Sequence, residues 1–264
     1  MTTVRDRLWL WGHVAGSHNS GWGLPATSRM TPTEAACYLG VPGVVMVNYQ
    51  GEPKPPYDQH ALALSSLDHV VWSIVGDAGR TSPQEIVRVR DLATKFPSIG
   101  AVIMDDFFHA PKPDGSLAPI SPDDLTSAKS ELANCGRKLP LWVVLYDHQL
   151  DLSVAPYLER CDVLTFWTWR AENLARLEAN FERADRIAPE MPKVLGCYMW
   201  DYGNKKAMPL GTFRRQCEIG LSWLRSGRIG GMIFLASCIC DLGLDAVEWA
   251  RGWIREVGSE PVPG

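Results

Sequence analysis

The chain has 264 residues, 46% of them hydrophobic and 21% charged, enough apolar content to bury one large core or two small ones. Its formal net charge is -4. No run of Lys and Arg is present to track a phosphate backbone, which excludes nucleic acid as a partner, and no stretch approaches the ~18 consecutive apolar residues of a membrane span.

In chain order, residues 1–7 lead into Leu8-Trp9-Leu10-Trp11, too short for the apolar core of an export signal. Gly12-His13 follows where a small-residue cleavage site would stand, so the expectation is a cytoplasmic protein. The seven cysteines are odd in number and scattered through apolar surroundings, which fits core thiols better than a disulfide framework. Eight short apolar runs then alternate with helical patterns: residues 8–13, 44–49, 69–76, 101–106, 141–148, 163–169, 194–201 and 231–237. Their continuous hydrophobicity suits strands covered on both faces. Between them, Ser82-Pro83-Gln84-Glu85 and Ser121-Pro122-Asp123-Asp124 each place a cap residue before a proline and an early acid, the signature of a helix start. Across residues 171–188, Leu174, Leu177, Phe181, Ala184 and Ile187 recur at helical spacing and predict one helix with a core-facing stripe.

Eight strands alternating with helices predict a single (β/α)8 barrel over residues 1–264, of fold class α/β. A doubly wound sheet is the alternative, but no GxGxxG follows the first strand and no Walker pattern occurs, so no nucleotide cofactor is expected. The segments after the first and fourth strands, residues 13–30 and 107–120, are long and rich in Gly, Pro, His and aromatics. Barrel enzymes carry their chemistry on that side, at the C-terminal strand ends.

Those ends carry a polar, acidic and aromatic ring: His13, then Asn48 with Tyr49, Asp77, the pair Asp105 and Asp106, and Tyr146 with Asp147 and His148. Trp167 and Trp169 follow, then Trp200 with Asp201 and Tyr202, and finally Ser237 and Asp241. Carboxylates that bind hydroxyls and flat rings that stack on sugar faces fit a carbohydrate substrate, and glycoside cleavage needs a carboxyl to protonate the leaving oxygen. No lysine ends a strand, which argues against a Schiff-base aldolase. Adjacent like charges raise one another's pKa, so Asp105-Asp106 is the natural chemical centre. A strand continuing through them would point the two side chains in opposite directions; a strand ending there lets both face the pocket.

Three motifs in the same order resemble the catalytic barrel of the O-GlcNAcase-type β-N-acetylhexosaminidases: Ile103-Met104-Asp105-Asp106, Phe166-Trp167-Thr168 and Met199-Trp200-Asp201-Tyr202-Gly203-Asn204. The resemblance implies substrate-assisted cleavage of an N-acetylhexosaminide, with the 2-acetamido oxygen attacking the anomeric carbon. Asp105 would hold the acetamido N–H and Asp106 would act as general acid and then general base. From the ring of strand ends and these motifs, His13, Asn48, Tyr146, Asp147, Trp167, Trp169, Trp200, Tyr202 and Asn204 are the residues expected around the sugar. The family's Gly-Phe-Tyr-Gly run and the lysine after its second strand are replaced here by Gly12-His13-Val14-Ala15-Gly16 and Asn48-Tyr49-Gln50-Gly51.

Three other readings use the same residues. A strand-four aspartate and Asp201 would form a carboxylate pair across the barrel, where a separation of about 5.5 Å implies retention and about 6.5–9.5 Å inversion, with Glu172 as a further acid. His13, His18, Asp105, Asp106, His109, Asp147 and His148 would supply a divalent metal for a lyase, isomerase or hydrolase, although no HxH or HExxH spacing occurs. A non-catalytic sugar-binding barrel would use the tryptophans alone. Trp22, Phe107 and Phe108 lie in the two long loops, positioned to close over the pocket.

Overall fold

A computed structural model describes residues 1–264. Eight strands close into a barrel: β1 (Leu8–Gly12), β2 (Gly43–Met46), β3 (His69–Ser73), β4 (Ile99–Met104), β5 (Leu141–Tyr146), β6 (Val163–Trp167), β7 (Lys193–Tyr198) and β10 (Gly231–Leu235). A two-stranded hairpin, β8 (Trp200–Asp201) with β9 (Lys206–Ala207), leaves the mouth after β7. Every barrel pairing is parallel, and β1 closes against β10 with Trp11 opposite Leu235. The outer layer comprises α1 (Pro32–Leu39), α2 (Asp58–Leu64), α3 (Pro83–Lys95), α4 (Pro122–Ala133), α5 (Ala155–Leu158), α6 (Leu177–Ile187), α7 (Leu210–Arg225) and α8 (Asp245–Val257). This is the expected (β/α)8 barrel. No helix is long and apolar enough to cross a membrane, and all seven cysteines are free thiols, Cys37 exposed and most of the others buried.

Both helix starts read from the sequence are present. The Ser82 hydroxyl accepts from the Glu85 N–H at 3.1 Å. Ser121 and Asp124 form a reciprocal capping box, 3.1 Å one way and 3.0 Å the other, satisfying backbone donors that the first helical turn leaves free. The helix expected across residues 171–188 is split. Ala171–Arg176 is a 3-10 turn and α6 begins at Leu177; a three-residue step such as Leu174 to Leu177 stays on one face of either kind of helix, so the spacing does not separate them. Leu174, Leu177, Phe181 and Ala184 are buried as expected.

The barrel interior is filled by matching tryptophans with glycines on neighbouring strands. Low in the barrel, the Trp9 and Trp142 rings meet edge-on at 5.5 Å. One layer higher, Trp11 and Trp167 do the same at 5.0 Å. A Cβ on Gly43 or Gly231 would stand 2.4 or 2.3 Å from the Trp9 ring, and one on Gly196 would stand 2.0 Å from Trp167. Alternation along β1 therefore points Trp9, Trp11 and then His13 inward at rising levels, and the interior row ends at the mouth.

Candidate active site

β4 ends at Met104 and the chain turns sharply. Asp106 is left-handed, with φ at 46°, and its N–H donates to Asp105 Oδ1 at 2.8 Å. Short polar residues tolerate this conformation, and the turn brings both carboxyls to one cavity, which a continuing strand would not. Gly79 from the β3 loop packs on this turn so closely that a Cβ there would lie 2.7 Å from Phe107 Cα and 2.8 Å from the Asp106 carbonyl. Phe107 and Phe108, expected in a closing loop, are instead buried against Tyr157, with ring centroids 6.0 and 5.7 Å from it. Gln149 also donates to the Phe108 carbonyl at 2.8 Å. They anchor the turn from behind.

The cavity at the mouth measures about 100 Å³, below the ~300–1,000 Å³ of pockets for drug-sized ligands. Larger clefts of 390–540 Å³ lie between outer helices and at the bottom of the barrel around Lys193 and Gly230, away from the C-terminal strand ends. Trp11, Trp167 and Leu235 line it, each from an inward strand position, with Tyr146, Tyr198 and Trp169 around its side. His13, His18, Trp22, Tyr49 and Tyr202 form the wall contributed by the β1 and β2 loops and the hairpin. That wall is tied together. His18 Nδ1 shares a hydrogen bond of 3.0 Å with the Tyr202 hydroxyl, Trp22 Nε1 donates to the Tyr49 hydroxyl at 3.1 Å, and Trp200 Nε1 donates to the Trp22 carbonyl at 2.9 Å.

The two carboxyls sit in unlike environments. Burial, and then the charge of Asp106, raise the Asp105 carboxyl well above the usual carboxylate range. Burial also raises Asp106, though less far; the Tyr146 hydroxyl, which donates to Asp106 Oδ1 at 2.9 Å, opposes the rise of both carboxyls, as the Asp106 N–H does for Asp105. The proton of the pair therefore favours Asp105 and the negative charge favours Asp106. Burial lowers His13 well below the ordinary histidine range, with His18 adding to the effect, and lowers His18 to about 4. Their rings lie 4.5 Å apart, and His13 Nδ1 is buried without a hydrogen-bond partner. Both imidazoles are neutral near pH 7.

Of the residues expected at the site, Asp105, Asp106, His13, Tyr146, Trp167, Trp169 and Tyr202 line the cavity, and five do not. Asp201 is buried in the hairpin, where Asn204 donates to both its oxygens, 3.2 Å from the backbone N–H and 2.9 Å from Nδ2. Asn204 Nδ2 also donates to Glu172 at 2.7 Å on the surface. Trp200 is spent on the Trp22 carbonyl, and Asn48 donates to the Pro53 carbonyl at 3.1 Å. Asp147 fastens the β6 loop, accepting from the Trp169 N–H at 3.1 Å and Asn173 Nδ2 at 2.8 Å. Burial pushes its carboxyl upward, but His148 and these two donors outweigh it and hold it low. The carboxylate pair across the barrel is therefore not assembled. Nor do the seven metal-ligand candidates converge, since nowhere do three His, Cys, Asp or Glu side chains meet in a grouping suited to an ion.

The structure adds Tyr198, Leu235 and Trp11 to the lining, which also holds Tyr49 from the expected ring, Trp22 from the expected closing loop and His18 from the metal-ligand candidates. Tyr198 was hidden because the seventh apolar run reads unbroken to Asp201, whereas β7 stops at Tyr198 and Trp200–Asp201 turns away to pair with Lys206–Ala207. Trp11 was readable: two residues before His13, it shares the inward face of β1.

No family model matches this chain, and neither does any curated protein. Solved structures do resemble it. The GH113 β-mannanase of Alicyclobacillus acidocaldarius superimposes with a TM-score of 0.55 at 10% identity over 97% of this chain and 98% of its own. Active domain 2 of a thermostable chitinase from Pyrococcus furiosus gives 0.57 at 12% identity over 97% and 91%. A xylanase and α-amylase inhibitor protein in complex with trehalose gives 0.53 at 12% identity over 96% and 98%. At such identities the likeness establishes the barrel, on which enzymes and an inhibitor alike are built.

Proposed function

We propose that the protein is a glycoside hydrolase with Asp105 and Asp106 as its catalytic pair. The observation that carries this reading is the pair itself: two neighbouring carboxyls at the end of β4, in a cavity walled by Trp and Tyr rings, with environments that separate their proton affinities. Groups pushed apart in this way divide acid and base duties. Asp105 donates its proton to the glycosidic oxygen as the bond from C1 to that oxygen breaks and the electron pair leaves with the aglycone. The Asp106 carboxylate faces the positive charge growing at C1. Water then adds to C1 and returns a proton to the pair, restoring its starting state. The Tyr146 hydroxyl, donating to Asp106 at 2.9 Å, favours the ionised form of that carboxyl.

The resemblance to O-GlcNAcase-type enzymes distributes the roles differently, with Asp106 as acid and Asp105 holding an acetamido N–H of an N-acetylhexosaminide. A leaving-group series separates the two. An enzyme without its acid still cleaves aryl glycosides whose leaving group needs no proton. Asp105→Asn is expected to lose activity on alkyl glycosides while keeping much of it on dinitrophenyl glycosides. If Asp106→Asn shows that pattern instead, the roles are exchanged. A screen of chromogenic glucosides, mannosides, glucosaminides and N-acetylglucosaminides tests the reading as a whole. Sugar binding without hydrolysis of any of them would leave a sugar-binding barrel.

A further inference from the structure

We infer that the cavity accepts a sugar bearing a free, protonated amino group, an inference that rests on the glycosidase reading and names its substrate class. The first ground is charge. No Lys or Arg lines the cavity, and its two histidines are enclosed by rings, His18 lying 5.2 Å from both Tyr49 and Tyr202. None of the protein's ion pairs includes Asp105 or Asp106. His148, whose charge when protonated would act on Asp106, stacks on Tyr146 with centroids 5.3 Å apart and stands more than half exposed, outside the cavity lining. A carboxylate in such a place lacks the partner that buried charges ordinarily have.

The second ground is the wall. Eight Trp and Tyr rings surround the pair, and aromatic faces attract organic cations, the more strongly where water is excluded. An anionic sugar would be repelled, and a neutral one would leave the carboxylate uncompensated. An ammonium is attracted by both carboxylate and rings. The third ground is space. Acetylation adds three heavy atoms to the nitrogen and removes its charge, in a cavity of only about 100 Å³. The arrangement also helps the chemistry, because an ammonium at C2 opposes positive charge at C1 and a carboxylate on the same wall offsets that opposition.

Calorimetric titration of the intact protein with glucosamine, glucose and N-acetylglucosamine, in a buffer that keeps the amine protonated, tests this directly. Glucosamine is expected to bind at least about tenfold more tightly than either of the others, a difference of one decade in Kd. In Asp106→Asn the preference should shrink to about twofold. Equal affinities, tighter binding of N-acetylglucosamine, or no binding of glucosamine overturns the inference, and the wild-type titration alone suffices should the variant fail to fold. Hydrolysis is measured separately on chromogenic glucosides and glucosaminides. A glucosamine preference without any turnover upholds the ammonium subsite and removes the glycosidase reading. Turnover of neutral glucosides without the preference does the reverse.

Discussion

The two ends of the barrel handle buried charge in opposite ways. At the bottom, the Lys193 ammonium is almost wholly enclosed but saturated: it donates to the Ala188 and Met191 carbonyls at 2.7 and 2.8 Å and pairs with Asp185 at 3.1 Å, while Arg228 holds the other Asp185 oxygen at 3.0 Å. At the mouth, Asp105 and Asp106 have each other, one tyrosine hydroxyl and one backbone N–H. The first arrangement is complete and serves stability. The second lacks a counter-charge, and its cost is tolerated where a ligand can supply one.

Removing one group from each end tests this contrast most strongly. Asp105→Asn should lower kcat on alkyl glycosides by about 10²–10⁴-fold, the usual contribution of a general acid. It should leave the melting temperature little changed, since it replaces a protonated carboxyl by a neutral amide of the same shape. A large drop in melting temperature would mean that the mouth is structural like the bottom. Lys193→Ala should do the opposite, costing about 1–3 kcal/mol of stability in denaturant titration by leaving the Ala188 and Met191 carbonyls without their donor, with kcat of the folded protein little changed.

The histidines sharpen the contrast through pH. His18 is lowered to about 4 from an ordinary value of 6.5, so between those values the unfolded chain binds a proton that the folded chain refuses. Stability should therefore fall by roughly 3 kcal/mol as pH drops through that window, and His18→Gln should flatten the slope. Asp105 acts with the opposite sign. Because its folded carboxyl is raised, the folded state holds the extra proton, and the stability this gives is lost as pH rises above the unfolded value of 3.8 and through the folded one. Equilibrium unfolding at a series of pH values reads both limbs.

Smaller effects probe the scaffold. Gly196→Ala places a methyl against the Trp167 ring and should cost about 1–3 kcal/mol, as overpacked cores do. Asp201→Asn should cost only about 1 kcal/mol through weakened hydrogen bonds to Asn204 and change kcat less than any substitution in the pair. A loss of activity comparable to that of Asp105→Asn would restore the carboxylate pair across the barrel.

The amino-acid sequence by itself determined the barrel and the placing of an acidic pair at the end of β4. The alternation of apolar runs with capped helices follows from local propensity and burial, and an acidic pair directly after an apolar run marks a strand end facing a pocket. Only the tertiary structure decided which other residues meet that pair. Where β7 stops depends on its pairing with β6 and β10, not on its own composition, so Tyr198 entered the cavity and Asp201 left it for the hairpin. The His13–His18 wall needed the long β1 loop to fold back onto Tyr49 and Tyr202, contacts between residues as many as 184 positions apart in the chain. The missing counter-charge is likewise a property of the assembled cavity. Lysine and arginine are plentiful in the chain, and folding placed none of them in the cavity lining.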